Sequence, residues 1–172
     1  MTVQALDHNR EDLVTNEVAR YLGLVEREFS VEMPGIPVHF DLIGNTLGMY
    51  CKKKGVRSIR FNSYAFSKYW NENFANTIPH EVAHYVSDSL FDHRYLKPHG
   101  REWQSIMRFF GADPAVRCYF DLSDIPKRKM QHFSYACACG QHELSAIRHN
   151  RINSGRRRYY CRRCQEELVA AD

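Results

Sequence analysis

The chain has 172 residues, of which 44% are hydrophobic, and this size suits one ordinary domain with a small appendage. No run approaches the ~18 consecutive apolar residues of a membrane-spanning helix, and residues 1–10 lack the apolar core of a secretion signal. These features argue against a membrane protein, and we expect a cytoplasmic one.

The positive charge is concentrated near the end of the chain. The formal net charge is +4, with 14 Lys and Arg against 16 Asp and Glu in residues 1–126, and 10 against 4 in residues 127–172. After residue 126 the composition also shifts towards Cys, Gly, Arg and Tyr. We therefore predict a first domain over 1–126 and a basic second domain over 127–172.

Apolar periodicity in the first domain predicts helices around a small sheet of about three strands. The predicted helices cover residues 9–29, a segment from Ser63, residues 77–91 and residues 101–110. The predicted strands cover residues 38–43, a segment from Gly48, and residues 58–62. Gly111 is expected to end the last helix. The predicted fold class is a compact α+β core.

The helix predicted over 77–91 contains the sequence His80-Glu81-Val82-Ala83-His84. Residues four apart share a helix face, so both imidazoles can reach one ion at a Zn–N distance of ~2.0–2.1 Å. Glu81 would hold the zinc-bound water, take its proton as general base and pass it to the leaving amine. Asn76 or Thr77 is the expected N-cap, with Pro79 in the first turn.

A hydrolytic zinc needs a third protein ligand and an open fourth position. Ser87 stands where the extended form of this motif has glycine, so the third ligand must come from elsewhere. His99 is favoured, and Glu102 is the alternative that would give a His₂Glu set. Asp88 and Asp92 follow on the ligand face at four-residue steps and could orient a ligand imidazole.

The second domain contains a second candidate zinc site. Cys161 and Cys164 have the regular spacing of a zinc knuckle, whereas Cys137 and Cys139 are separated by one residue only. His142 has regular spacing from Cys139. The four cysteines are therefore the favoured ligands, and His142 in place of Cys137 is the alternative. A structural zinc is expected because the segment has too few apolar residues to fold unaided.

Arginines lie between the two knuckles and around the second one. They are Arg148, Arg151, Arg156, Arg157, Arg158, Arg162 and Arg163. Guanidinium groups bind phosphate in a bidentate manner, and the interleaved Tyr159 and Tyr160 can stack on exposed bases. DNA or RNA is therefore the expected partner of this domain, with an acidic protein or a merely solvated surface as alternatives.

Several segments together resemble the bacterial SprT family, which is similar in its catalytic region to the Spartan-type proteases that degrade proteins crosslinked to DNA. In the first domain they are YWNENF (69–74), TIPHEVAHYV (77–86) and KPHGREW (97–103). The cysteine and arginine segments over 135–140, 148–151 and 160–164 resemble the family's zinc ribbon. The resemblance covers residues 10–168.

The resemblance implies zinc ligands at His80, His84 and His99, with Glu81 catalytic, and so strengthens His99 over Glu102. It also implies a zincin-like metallopeptidase core followed by a zinc ribbon. The expected function is a zinc-dependent metalloendopeptidase with protein substrates, among them nucleic-acid-associated proteins. The alternative is a non-catalytic nucleic-acid-binding protein with two structural zincs. Glu81 favours the enzyme, since a structural site has no use for a general base. The sequence predicts no oligomeric state.

Overall fold

The computed structural model describes residues 3–92, 95–115, 120–127 and 131–171. The chain divides into two compact units, Met1–Lys127 and Arg128–Asp172. This division falls one residue after the boundary predicted from composition. Among the described residues, no helix combines the length and the apolar character that crossing a membrane requires.

The first unit is mainly helical. Its helices are α1 (His8–Phe29), α2 (Ser63–Lys68), α3 (Trp70–Glu72), a π-helical turn (Asn73–Thr77), α4 (Ile78–Leu90) and α5 (Arg101–Phe109). The Asp7 side chain caps α1 by accepting a hydrogen bond from the Arg10 N–H, and Ser30 ends it in the left-handed conformation. The long amphipathic helix predicted at this end of the chain is confirmed.

A three-stranded sheet packs beside these helices, as predicted. Its strands are β1 (Val38–His39), β2 (Gly48–Lys53) and β3 (Val56–Phe61), in the order β1-β3-β2. β1 is parallel to β3, and β2 is antiparallel to it. β1 is four residues shorter than predicted, because beyond His39 the only described main-chain hydrogen bond to β3 runs from the Leu42 N–H to the Phe61 carbonyl.

The core of the first unit surrounds α4, which packs against α1, α5 and β2. Val82 and Val86 of α4 are completely buried, as are Ile59 and Phe61 of β3. Each such side chain contributes about 1.5–3 kcal/mol by leaving water. The apolar side of α4 therefore fixes the helix in the core and determines where its polar side points.

Thr77 directly precedes α4, as one of the two expected N-cap residues, but its side chain makes no capping hydrogen bond. Thr77 has helical dihedral angles, and its hydroxyl donates to Asn73 Oδ1 at 2.8 Å instead of capping a helix end. The Ile78 N–H donates to the Asn73 carbonyl, five residues back. α4 thus continues from a π-helical turn, and Pro79, which has no N–H to donate, is the second residue after that turn.

The second unit is a small sheet with one helix. Its elements are β4 (His132–Cys137), β5 (Gly140–Ser145), α6 (Ala146–Asn153) and β6 (Val169–Ala170), with the antiparallel strands in the order β5-β4-β6. Tyr135, Leu144, Cys161 and Leu168 form its core. The predicted α+β class is confirmed, and the clustered cysteines fit a zinc ribbon.

Candidate metal centre

Three histidines of the first unit converge on one point. The Nε2 atoms of His80 and His84 are 3.3 Å apart, and His99 Nε2 lies 3.1 Å from the first and 3.2 Å from the second. Two nitrogens bound to zinc at ~2.05 Å with tetrahedral angles are about 3.3 Å apart. The triangle of ring nitrogens therefore has the size that a zinc ion requires.

Hydrogen bonding among the rings cannot account for this triangle. Each Nε2 atom either carries a hydrogen or presents a lone pair, so at least two of the three are in the same state and cannot bond to each other. Burial lowers the pKa of His80 to about 4 and that of His84 to about 3, and the neighbouring imidazoles add to both shifts. Both rings are thus neutral at neutral pH, which is the form that binds metal.

The third histidine is presented by the turn before α5. His99 has a left-handed φ of 56°, and its carbonyl accepts a hydrogen bond from Gln104 Nε2 at 3.1 Å. A side chain at Gly100 would come 2.9 Å from the Lys97 carbonyl, so glycine permits this tight turn. Among the described residues the cluster contains His99, whereas Glu102 lies outside it in the first turn of α5.

Trp103 supports all three rings, a role that the sequence analysis missed. Its ring centroid is 4.8 Å from that of His80, 5.5 Å from His84 and 4.6 Å from His99. Its Nε1–H also donates to the His80 carbonyl at 3.2 Å. The sequence placed Trp103 only within the helix predicted over residues 101–110, whereas the structure brings this buried indole close to all three imidazoles.

Glu81 is buried next to the histidines and held by the sheet. It is 6% exposed, and its Oε2 accepts the Tyr50 N–H of β2 at 2.7 Å. Burial raises the pKa of the Glu81 carboxyl to about 7, although the bond from Tyr50 acts in the opposite direction. A carboxyl group with a pKa near neutrality can both accept and release protons at neutral pH.

Gly48 provides the space that Glu81 occupies. A Cβ atom at this position would lie 2.7 Å from Glu81 Cγ and 2.8 Å from the Thr77 methyl group. Only glycine lets the start of β2 approach α4 so closely. Alternation in the sequence placed Gly48 at the start of a predicted strand, and a glycine at such a position can also mark a close approach of this kind.

We expect Gly48→Ala to destabilise the first unit by about 1–3 kcal/mol through overpacking, and to displace the Glu81 carboxylate. The measurements are the free energy of unfolding, from denaturant titration, and the rate of any peptide hydrolysis. Gly35→Ala is the matched control, because a Cβ there meets nothing within 4 Å. Equal stability and activity of the two variants would contradict the close approach described here.

Asp88 ties the end of α4 to the sheet. Its carboxylate accepts the Tyr50 hydroxyl at 2.7 Å and pairs with Lys52 and Arg57, both at 3.0 Å. Burial and the bond to Asp88 raise the pKa of the Tyr50 phenol. Tyr50 therefore contacts α4 twice, through its N–H at Glu81 and through its hydroxyl at Asp88. These contacts anchor β2 on the helix, whereas the prediction that Asp88 or Asp92 orients an imidazole stays a prediction.

The histidines and Glu81 open onto a cleft of about 580 Å³. Gly48, Met49 and Tyr50 of β2 form one wall, and the segment from Leu96 to His99 forms another. The cluster is therefore accessible to a molecule from solution. An open cleft, three converging imidazoles and a buried carboxyl group are the elements that hydrolysis at a metal ion requires.

Four cysteines of the second unit also converge. Cys137, Cys139, Cys161 and Cys164 have sulfur atoms within 4.8 Å of one another. Cys139 Sγ lies 3.4 Å from Cys137 Sγ and 3.5 Å from Cys161 Sγ. Two sulfur atoms bound to one zinc ion at ~2.3 Å with tetrahedral angles are about 3.8 Å apart. The backbone N–H groups of Cys164 and Arg163 lower the pKa of the Cys161 thiol, which favours the metal-binding thiolate.

The structure separates the seven arginines of the second unit into groups. Arg148, Arg162 and Arg163 line a cavity of about 540 Å³ together with Tyr159 and Tyr160. Arg158 lies 3.4 Å from the Glu167 carboxylate. Arg151, Arg156 and Arg157 are exposed outside that cavity. Only the first three are therefore brought together with the tyrosines in the part of the chain that the structure describes.

These features define an α+β protein with an HExxH helix, a third histidine and a cysteine ribbon. The chain belongs to the SprT-like family, whose model matches residues 16–120. The protein is 36% identical to Protein SprT of Pasteurella multocida over 86% of this chain and 83% of that one. It is 33% identical to Protein SprT of Shewanella oneidensis over 85% and 90% of the two chains. No solved structure matches. The resemblance to the SprT family is thus confirmed.

Proposed function

We propose that this protein is a zinc-dependent metalloendopeptidase. The observation that carries the proposal is the convergence of His80, His84 and His99 beside the buried Glu81 in an open cleft. Membership of the SprT-like family agrees with it. Because a purely structural metal site needs neither an accessible cleft nor a neighbouring base, this arrangement favours the peptidase over a non-catalytic binding protein.

The chain's own residues divide the chemistry between them. A zinc ion held by the three histidines would supply Lewis-acid chemistry, polarising the scissile carbonyl and lowering the pKa of the attacking water. Glu81 takes a proton from that water and returns it to the leaving amine. The Tyr50 N–H donates a hydrogen bond to Glu81 Oε2, and the Trp103 Nε1–H donates one to the His80 main-chain carbonyl. The base and one ligand are thereby positioned before substrate arrives.

Casein cleavage by the full chain tests the proposal. The zinc-loaded protein is expected to cleave casein, a chelator that strips the metal is expected to stop cleavage, and restored zinc is expected to recover it. Zinc content is measured in parallel, with about two ions per chain expected. Two bound zincs without cleavage of casein or of several other unfolded proteins would favour the non-catalytic alternative.

We propose further that the second unit binds nucleic acid and directs the peptidase to proteins associated with it. Support comes from Arg148, Arg162 and Arg163, which share one cavity with Tyr159 and Tyr160. Guanidinium groups can contact phosphates there, and the exposed Tyr160 ring can stack on a base.

Binding of a short labelled single strand, measured by fluorescence anisotropy, tests this second part. Affinity is expected to fall steeply as salt rises, because each phosphate contact releases bound counterions. Arg162→Ala with Arg163→Ala is expected to weaken binding and to flatten the salt dependence. Arg158→Ala is the matched control, since Glu167 already pairs with that guanidinium. Equal losses in the two proteins would contradict a role for the cavity.

A further inference from the structure

The two halves of the cysteine cluster are built differently. Cys161 and Cys164 have two residues between them, and the Arg163 N–H of this knuckle donates to Cys161 Sγ at 3.3 Å. Cys137 and Cys139 have one residue between them. A side chain from outside the four cysteines contacts this irregular half: His142 Nε2 lies 3.1 Å from Cys137 Sγ.

The hairpin of β4 and β5 fixes His142 at this place. Tyr135 is opposite His142 in the register, and Cys137 is opposite Gly140. Residues that are opposite each other, or two apart along one strand, point to the same face of a sheet. The His142 side chain therefore lies diagonally across from Cys137 on the face that carries the sulfur atom.

His142 is a neighbour of the cysteine cluster and not one of its members. The sulfur atoms of the four cysteines lie within 4.8 Å of one another, and His142 is outside this group. Four thiolates around a divalent cation carry a net charge of −2, which N–H donors to the sulfur atoms can disperse. A metal-bound thiolate can only accept a hydrogen bond, so the imidazole must carry its hydrogen on Nε2.

We propose that His142 donates its Nε2–H to Cys137 Sγ and thereby strengthens metal binding by the ribbon. The four cysteines are then the ligands, and His142 is a positioning residue that holds the sulfur of the irregular knuckle. This assignment replaces the alternative in which His142 itself binds the metal in place of Cys137. It concerns the second unit alone and is independent of the proposed peptidase activity.

Cobalt substitution in the full chain tests the proposal, since thiolate-to-cobalt absorption reports the cysteine site and the histidine site supplies no sulfur. Wild type and His142→Leu are both expected to show the bands of four sulfur ligands. Chelator competition is expected to show an affinity about 10–100-fold lower in His142→Leu, the usual effect of losing a hydrogen bond to a metal ligand. His142→Gln keeps an N–H donor and is expected to recover part of the loss.

His132→Leu is the matched control, because His132 is an exposed histidine of the same hairpin. It is expected to retain wild-type affinity. Bands of three sulfurs and one nitrogen in the wild type, lost in His142→Leu, would overturn the proposal by making His142 a ligand. An unchanged affinity in His142→Leu would overturn it as well. If His142→Leu takes up no cobalt, His142→Gln decides: four-sulfur bands support the donor role, and failure to bind cobalt refutes it.

Discussion

Glu81→Gln is expected to lower the rate of casein cleavage by about 10²–10⁴-fold, the usual contribution of a general acid–base group, while both zincs stay bound. Glutamine has nearly the same shape, and its carbonyl oxygen can still accept the Tyr50 N–H that Glu81 Oε2 accepts at 2.7 Å. The change therefore removes the proton acceptor and preserves the packing. The measurements are steady-state cleavage, zinc content and thermal unfolding of the purified full chain.

Glu72→Gln serves as the control for this substitution, because Glu72 is an exposed carboxylate of α3 in the same unit. Its cleavage rate and zinc content are expected to match the wild type. Cleavage that survives in Glu81→Gln would refute Glu81 as the base, whatever the metal content. A loss of zinc from Glu81→Gln would instead show that the carboxylate helps to hold the ion.

His99→Ala is expected to reduce the zinc content from about two ions per chain to about one and to abolish casein cleavage. His80 and His84 would remain as a pair, and two imidazoles from one helix do not complete the set of three protein ligands that a hydrolytic zinc site uses. The ribbon cysteines belong to the other compact unit, so their ion should stay bound. Zinc is measured after exhaustive dialysis against metal-free buffer.

Glu102→Ala is the informative comparison, since Glu102 was the other candidate for the third ligand. The described cluster contains His99 and not Glu102, so Glu102→Ala is expected to keep two zincs and its activity. The opposite pattern, in which Glu102→Ala loses the ion and His99→Ala keeps it, would reverse the assignment of the third ligand.

The parts of the fold that follow from local periodicity could be predicted from the sequence. The four-residue spacing of His80 and His84 places both on one face of a helix, and this result requires no knowledge of the rest of the fold. The same holds for α1, whose buried residues recur at helical spacing from Val14 to Val25, over about three turns. The sheet was predicted from alternation and turn residues, with errors at the strand ends.

Contacts between distant segments could not be predicted in the same way. The hydrogen bond from the Tyr50 N–H to Glu81 joins residues 31 apart and uses a main-chain donor that every non-proline residue has. Trp103 looked like any other apolar residue until its distances to three histidines were known. The close approach of Gly48 to Glu81 likewise depends on how β2 packs against α4, which local sequence patterns do not give.

The π-helical turn between Asn73 and Thr77 also sets the rotational phase of the helix that follows it. One residue of an α-helix corresponds to about 100° of rotation. Removing one residue from this turn would therefore rotate His80 and His84 about the helix axis, relative to α3, by roughly that angle. The valines of α4 would leave the core in the same movement. The number of residues in this turn therefore determines that the apolar face meets the core while the imidazoles face the cleft.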